Sequence, residues 1–313
     1  MENTPSNIDI SFITINYNSS HHTIALVQSI IAHTLSDLNY EIIVVDNASE
    51  VEDYTNLHDT ISSFPQVSII RNRINNGFAG GNMLGVNSAH GKYYFFINND
   101  CQLLNDTGSI MKNFLDAHDD IAVVTAKVTD EKGHFSSSYK QFPSVIKQWF
   151  GNSIHRALSS KSFPSNKIHL ETPTAVEIIS GACMFFRAED FNTIGGFDTI
   201  FFLYCEEEDI CKRVWNYGKQ IYFLPEAEVF HAGGGSSIHN VALEKEFYIS
   251  YKLLIDKHFN YFARFFIKMA LTLKQFRRIF TKRHGLSLFL FVASGSPIRD
   301  SLRYKQKIQL DKN

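Results

Sequence analysis

A chain of 313 residues, 44% hydrophobic and 20% charged, has ordinary globular composition and is long enough for one large α/β domain plus an extension. No stretch reaches the roughly 18 to 20 uninterrupted apolar residues of a spanning helix, the nearest runs being broken by Arg264, Lys268 and Lys274, so bilayer crossing is not expected. The net charge of -2 conceals an asymmetry: residues 252–313 hold 14 Lys+Arg against 3 Asp+Glu, and residues 1–251 hold 16 against 29. That split predicts an acidic body over 1–251 and a basic tail over 252–313 that seeks an anionic partner.

Four cysteines (Cys101, Cys183, Cys205 and Cys211) form no CxxC or zinc-like grouping, and the first 25 residues carry no basic segment leading into an apolar one. A reducing cytoplasm is the expected setting.

In chain order, Ile8–Ile15, Glu41–Asp46, Val67–Arg71 and Tyr93–Asn98 are short apolar or β-branched runs that predict buried parallel strands. Helical spacing falls between them, over His22–His33, Val51–Ser62 and Gly81–Ala89. The alternation predicts an open, doubly wound α/β sheet, whose ligands lie at the carboxyl ends of the strands. The residues just past those ends are polar: Asn16-Tyr17-Asn18, Asp46-Asn47, Asn72 to Asn75, and Asn98-Asn99-Asp100. From about Thr129 to Pro173 the pattern weakens into polar, Pro- and Ser-containing sequence, read as a mobile or acceptor-facing excursion. Order resumes over Ala175–Arg187, then Gly195-Gly196-Phe197-Asp198, an acidic helix start at Glu206–Asp209, a strand at Gln220–Leu224, and His231-Ala-Gly-Gly-Gly-Ser-Ser237.

Several of these positions suit specific chemistry. Asp100 closes a strand where a carboxylate can either open a turn or help hold a hard divalent cation that neutralises a departing diphosphate. Glycines at 77, 80 and 81 let the backbone approach a ligand and expose amide donors ahead of a helix. Asp46 either accepts hydrogen bonds from a ribose or base edge, or caps the next helix with Asn47 and Ser49. In the run from Cys205 to Val214, Glu208/Lys212 and Asp209/Arg213 are acid-first i,i+4 pairs, which predicts a solvated face for those two acids. Glu206 and Glu207 are left over. Glu207 shares a stripe with Cys211 and Val214, so it faces inward at the helix start, where a partly desolvated carboxylate can act as general base. His231 is a ligand type for divalent transition metals, and the glycines after it would let the loop fold over a pyrophosphate.

Together these segments resemble the family 2 glycosyltransferases with the GT-A fold, particularly the rhamnosyltransferase-like branch that builds bacterial O-antigens and capsules. The matching strings are Asn16-Tyr-Asn-Ser19, Val44-Val-Asp-Asn-Ala-Ser49, Asn75-Asn-Gly-Phe-Ala-Gly-Gly-Asn82, Ile97-Asn-Asn-Asp100, Ser180-Gly-Ala182, Gly195 to Tyr204, Glu206-Glu-Glu-Asp209 and His231 to Ser237, in the family order over about residues 8–240. The resemblance implies inverting transfer of a sugar from a nucleotide donor, dTDP-rhamnose first and UDP-hexose next, to a saccharide hydroxyl on a lipid-linked glycan. It implies that Asn16, Tyr17 and Asp46 hold the nucleoside, with Asn75, Gly77, Gly80, Gly81, Asn98 and Gly181 about the nucleotide sugar. Asp100 would be the carboxylate of a DXD-like motif, His231 would complete a Mn²⁺ or Mg²⁺ site, and the acidic helix start would supply the base. Two departures stand out. The DXD-like motif keeps one acid, and Glu206-Glu207 replaces the usual Glu-Asp, so the base is one methylene longer and Glu206 competes with Glu207.

Two other readings remain open. A sugar-1-phosphate nucleotidylyltransferase would carry an N-terminal glycine-rich loop with basic residues, which Asn16-Tyr-Asn-Ser19 lacks. A non-catalytic nucleotide-sugar-binding protein would tolerate the incomplete metal motif. In the tail, Phe262, Phe266, Met269, Leu273, Phe276 and Phe280 recur at three- and four-residue steps, with eight basic residues between Lys257 and Arg283. This stripe either packs on the body or lies on an anionic membrane at its cytoplasmic face, near a lipid-linked acceptor. The run Leu286–Ala293 is too short to span. Nucleic acid is not an expected partner, because the acidic body would repel it.

Overall fold

The apolar runs of the amino-terminal half become β1 (Ile10–Asn16), α1 (Ser20–His33), β2 (Tyr40–Asp46), α2 (Val51–Ile61), β3 (Val67–Arg71), α3 (Gly77–Val86) and β4 (Tyr93–Ile97). The computed structural model describes residues 8–136, 138–158, 163–164, 170–233 and 240–309. β1 pairs in parallel with β2 and β4, and β2 with β3. Ile10, Phe12, Ile42 and Val44 pack in one core with Leu26 and Ile30 of α1 and Leu57 and Ile61 of α2, while Ile13, Ile43 and Val45 pack in a second with Ala79 of α3. Successive strand residues point to opposite faces, and both faces are covered by helices, which is why these strands are apolar throughout.

Then come β5 (Cys101–Leu103), α4 (Thr107–Asp116), β6 (Ile121–Thr129), β7 (Phe135–Ser136), β8 (Tyr139–Lys140), α5 (Val145–Leu158), β9 (Thr174–Ala175), β10 (Ile178–Ile179), β11 (Cys183–Arg187), α6 (Ala188–Thr193), α7 (Glu206–Asn216) and β12 (Gln220–His231). The main sheet runs β3-β2-β1-β4-β11-β6-β12-β5, with β11 antiparallel to β4 and β6 and β5 antiparallel to β12. Within the Thr129–Pro173 stretch, β7 pairs with β6, and β8 pairs antiparallel with β10 around a buried Tyr139.

The structure corrects the reading of the glycine segment. α3 begins at Gly77, so the glycines lie within the helix and not in a loop ahead of it. A Cβ on Gly81 would press on Ile15, and one on Gly85 on Ile13 and Val45. Their bare surface lets α3 rest on β1 and β2. Gly77 has φ 72°, and a Cβ there would overlap the Phe202 carbonyl, which already accepts a hydrogen bond from Phe78 N at 2.8 Å.

The tail forms α8 (Val241–His258), α9 (Tyr261–Arg278) and α10 (Gly285–Ala293). α8 runs unbroken past position 251, where the charge split put a boundary, and its Leu254 and Ile255 join Phe201, Cys205 and Ile267 in one core cluster. Composition changes there inside a helix that is packed on the body. α9 buries Ile267 and Gln275, whereas Phe262 and Phe280 are 73% and 76% exposed and Phe266, Leu273 and Phe276 are exposed beside them; Met269 is half-buried. Part of the basic charge docks these helices, through Lys268 to Asp256 at 2.5 Å, Arg278 to Glu244 at 3.0 Å and Lys257 to Asp209 at 2.7 Å. Among the described residues no helix is long and apolar enough to cross a membrane.

Candidate active site

The carboxyl ends of β1 and β2 are braced from beneath by Asn16 and Asp46, both fully buried. Asn16 Nδ2 lies 3.0 Å from Asp46 Oδ1, 3.0 Å from Ser49 Oγ and 2.9 Å from Asp53 Oδ2, and its Oδ1 accepts from Thr23 Oγ1 at 2.8 Å. Asp46 also accepts from Ser49 N at 3.3 Å, so it shapes the turn into α2, whose N-cap is Glu50. Tyr17, 47% exposed, is the part of this segment that faces outward. Asn47 clasps the next loop: its amide donates to Asn75 Oδ1 at 3.0 Å and Gly77 O at 3.1 Å, and its oxygen accepts from Asn72 Nδ2 and Asn76 N, each at 3.1 Å.

Hydrogen bonds continue from this floor toward Asp100. Asn99 Nδ2 donates to Ser19 Oγ at 2.7 Å and to Thr23 Oγ1 at 3.0 Å, which fixes the residue before Asp100 to the start of α1. β5 then pairs with β12 so that Cys101 sits opposite His231, and Asp100 Oδ1 lies 3.1 Å from His231 Nε2. Burial pushes the Asp100 carboxyl up, but the His231 hydrogen bond and charge, with a backbone hydrogen bond and the charge of His22, together hold the group below the usual carboxylate range. The donor atoms of Asp100, Cys101 and His231 lie within 4.8 Å of one another. Cys101 is fully buried, and its soft sulfur is poorly matched to a hard cation such as Mg²⁺. A carboxylate oxygen and an imidazole nitrogen remain, a donor set that fits Mn²⁺ or Mg²⁺ with water and phosphate filling the other positions. Residues 234–237, expected to fold over a pyrophosphate, lie outside the described residues.

The acidic helix is presented abruptly. Tyr204 and Cys205 have φ of 73° and 68°, two successive residues in the left-handed region, and α7 starts with Glu206. Glu206 is 4% exposed, and its Oε2 has no hydrogen-bond partner among the described residues. Glu207 accepts from Lys140 Nζ at 3.0 Å, and the same nitrogen reaches Glu208 at 2.5 Å. Burial raises Glu207, but the Lys140 charge, together with hydrogen bonds from the backbone, Lys140 and Glu208, leaves the acid below its ordinary value. Glu206, desolvated and next to the negative Glu207, is pushed well above, and burial with the same neighbour pushes Glu208 up to about 7. The turn at Ser180–Ala182 connects the two sides: the Ala182 carbonyl accepts from Asn98 N at 3.0 Å, and a Cβ on Gly181 would stand 3.5 Å from Phe78 Cζ and 3.9 Å from Glu207 Cβ.

The solvated face expected for Glu208 and Asp209 is absent. Glu208 is buried against Lys140, while Lys212 lies over the Phe142 ring, 5.1 Å from its centroid. Asp209 does bond Arg213, at 2.7 Å, but it is fully buried and also meets His258 and Lys257, each at 2.7 Å. The covering residues come from β8 and α8, far away in sequence, so helical spacing alone could not reveal them. Lys140, Asp53 and His258 were not singled out by sequence, and Asn47 was read only as a residue past β2 that could help cap the next helix. Lys140 lies in the patternless excursion and carries no local signal.

A family model described as glycosyl transferase family 2 matches residues 11–195. The chain belongs to that family. Rhamnosyltransferase WbbL of Escherichia coli K12 is 26% identical to it over 264 residues, covering 79% of this chain and 90% of WbbL. An N-acetylglucosaminyl-diphospho-decaprenol L-rhamnosyltransferase of Mycobacterium tuberculosis H37Rv is 30% identical over 144 residues, 42% of this chain and 44% of that protein. Among solved structures, GalNAc-T7 with UDP, GalNAc and Mn²⁺ aligns with a TM-score of 0.57 at 16% identity, over 80% of this chain and 48% of that one. S. aureus TarS 1-349 in complex with UDP aligns at 0.52 and 14% identity, over 88% of this chain and 73% of that one. At such identities the likeness concerns the fold, and this family 2 chain has the GT-A fold.

Proposed function

We propose that this family 2 chain is an inverting glycosyltransferase that moves rhamnose from dTDP-rhamnose, or else a hexose from a UDP-hexose, to a saccharide hydroxyl of a lipid-linked glycan in cell-surface polysaccharide synthesis. The observation that carries this reading is the Ser180–Ala182 turn, whose Ala182 carbonyl accepts from Asn98 N, two residues before Asp100, and whose Gly181 lies beside Glu207. Asp100 and His231 would hold Mn²⁺ or Mg²⁺, which when bound neutralises the charge of the departing nucleoside diphosphate. Tyr17 and Asn75 face the nucleoside, and Asn16, Asp46 and Asn47 hold those loops in place. Glu207, kept ionised by Lys140, takes the proton from the acceptor hydroxyl as that oxygen bonds to the anomeric carbon, so the configuration inverts. Glu206, driven toward its neutral form, is unsuited to that task.

The name of the mycobacterial relative specifies a lipid-linked acceptor, which supports the same class here. The exposed Phe262, Phe266, Phe276 and Phe280 with Lys274, Arg277, Lys282 and Arg283 suit an anionic membrane surface, at the inner face of the cytoplasmic membrane. The deciding experiment incubates the protein with dTDP-rhamnose or UDP-hexoses, Mn²⁺ and a polyprenyl-diphosphate-linked sugar, and reads the anomeric configuration of the product by NMR. An inverted product supports the proposal. Retention of configuration overturns the inverting mechanism, and nucleotide binding without turnover on any acceptor overturns the proposal and favours a non-catalytic binding protein.

A further inference from the structure

The chain does not end at α10. After it, Ile298–Asp300 and Leu302–Lys305 form two short 3-10 turns, and an extended segment leads on to Gln309. This strap is fixed at its start by Glu246 of α8, almost fully buried, which accepts from Ser301 Oγ at 2.9 Å and from Leu302 N at 2.7 Å. Arg303 donates to the carbonyls of Thr199 and Ile200. At the far end Gln309 N donates to Arg73 O at 2.7 Å, just past β3. The strap therefore crosses from the tail to the carboxyl ends of β1, β2 and β3, tied at both ends.

Between strap and loops lies a cavity of about 280 Å³, near the roughly 300 Å³ at which small-ligand clefts begin. One wall is Tyr17, Glu50 and Asn75; the other is Lys305, Gln306 and Lys307. Tyr17 offers an exposed ring on which a base can stack, and base–aromatic stacking is commonly worth about 1–3 kcal/mol. The polar groups are unequal in kind. Two ammonium groups and an amide supply donors on the strap side, and the Glu50 carboxylate is an acceptor opposite.

We infer that the strap forms the outer wall of a base-recognition pocket for a pyrimidine-2,4-dione nucleotide, Lys305, Gln306 and Lys307 donating to the two ring carbonyls and Glu50 accepting from the ring N–H. Uracil and thymine share this acceptor–donor–acceptor edge; cytosine replaces one carbonyl by an amine, which would point a donor at a donor. The inference rests on the reading of the loops after β1, β2 and β3 as the donor-nucleoside site. It adds a role for a segment that lies beyond residues 11–195 of the family match.

The test measures binding of dTDP, UDP, CDP and GDP to the full chain in Mn²⁺ by titration calorimetry, and repeats it with Lys305→Ala/Gln306→Ala/Lys307→Ala. All anchors of the strap stay intact in that variant, and a melting curve verifies that it is folded. The full chain should bind dTDP and UDP at least ten-fold more tightly than CDP and GDP, the dTDP and UDP arms showing which dione is preferred. The variant should bind all four within about three-fold of one another, with the loss falling on the diones. A variant that keeps the full preference overturns the strap's role while leaving the donor site standing. Tighter binding by the variant also overturns it, because the strap would then be an obstruction. A full chain that binds none of the four removes the donor-site reading, and the strap inference falls with it.

Discussion

Lys140 Nζ stands between two acids of α7, 3.0 Å from Glu207 Oε1 and 2.5 Å from Glu208 Oε1. The lysine pulls Glu207 down, whereas burial and the Glu207 charge push Glu208 up. Because the lysine lowers Glu207, Lys140→Met removes that pull and the acid limb of the pH–rate profile moves to higher pH. Activity lost at neutral pH should be partly regained in alkaline buffer. A profile with an unmoved acid limb would show that Glu207 is not the group that titrates in the reaction.

Glu207→Gln retains size and shape but cannot accept a proton. Transfer should fall by roughly 10²- to 10⁴-fold with donor binding unchanged. Glu206→Gln should cost much less, since that acid is already driven toward the neutral form by burial and by Glu207. A reversed ranking in steady-state assays would give the proton-accepting role to Glu206.

Asp100→Ala and His231→Ala should each lose most activity, and both should weaken Mn²⁺ binding measured directly by titration. Full turnover in excess chelator would remove the metal from the mechanism.

The four parallel strands β1 to β4 were legible in sequence because each is a largely apolar run with Asn or Asp at its end or just past it, and because covering helices show a 3.6-residue pattern. Asp100 and His231 could be named as partners only through the resemblance; the pairing of β5 with β12 is what brings them within bonding distance. Lys140 was not legible. Its role depends on β8 pairing with β10 beside α7, a contact between distant segments that leaves no periodic trace. Glu208 and Asp209 were misplaced for the same reason: acid-first i,i+4 spacing signals a solvated face unless another element covers it, and here β8 and α8 do.

Asp209 gives the fold a defined acid sensitivity. Burial pushes it up, but the His258 hydrogen bond, Arg213 and Lys257 outweigh burial and hold it at about 2, against an ordinary value of 3.8. A depressed carboxylate contributes stability that is present above its unfolded value and is lost as pH falls through the folded one. That contribution, about 2 kcal/mol on the 1.36 kcal/mol per unit scale, should therefore fade between roughly pH 5 and 2. Urea titrations over this range should show the loss in the native chain and a flatter profile in Asp209→Asn. Parallel profiles would mean that other carboxylates govern acid unfolding.

The aromatic face of α9 is testable without cutting the chain. The native protein should float with anionic liposomes and release as salt rises, while Phe262→Glu/Phe280→Glu should remain in the soluble fraction with its nucleotide affinity intact. Equal flotation of the two proteins would place the attachment elsewhere.

The unbroken course of α8 bears on how such a protein can diversify. A chimera joined at position 251 would split a helix and require a foreign segment to supply the partners of Asp209 and the apolar contacts of Leu254 and Ile255. Body and tail thus meet at α7, the helix bearing Glu207, through Asp209 and its partners Lys257 and His258. Recombination junctions that preserve both should fall before Val241, where α8 has not yet begun.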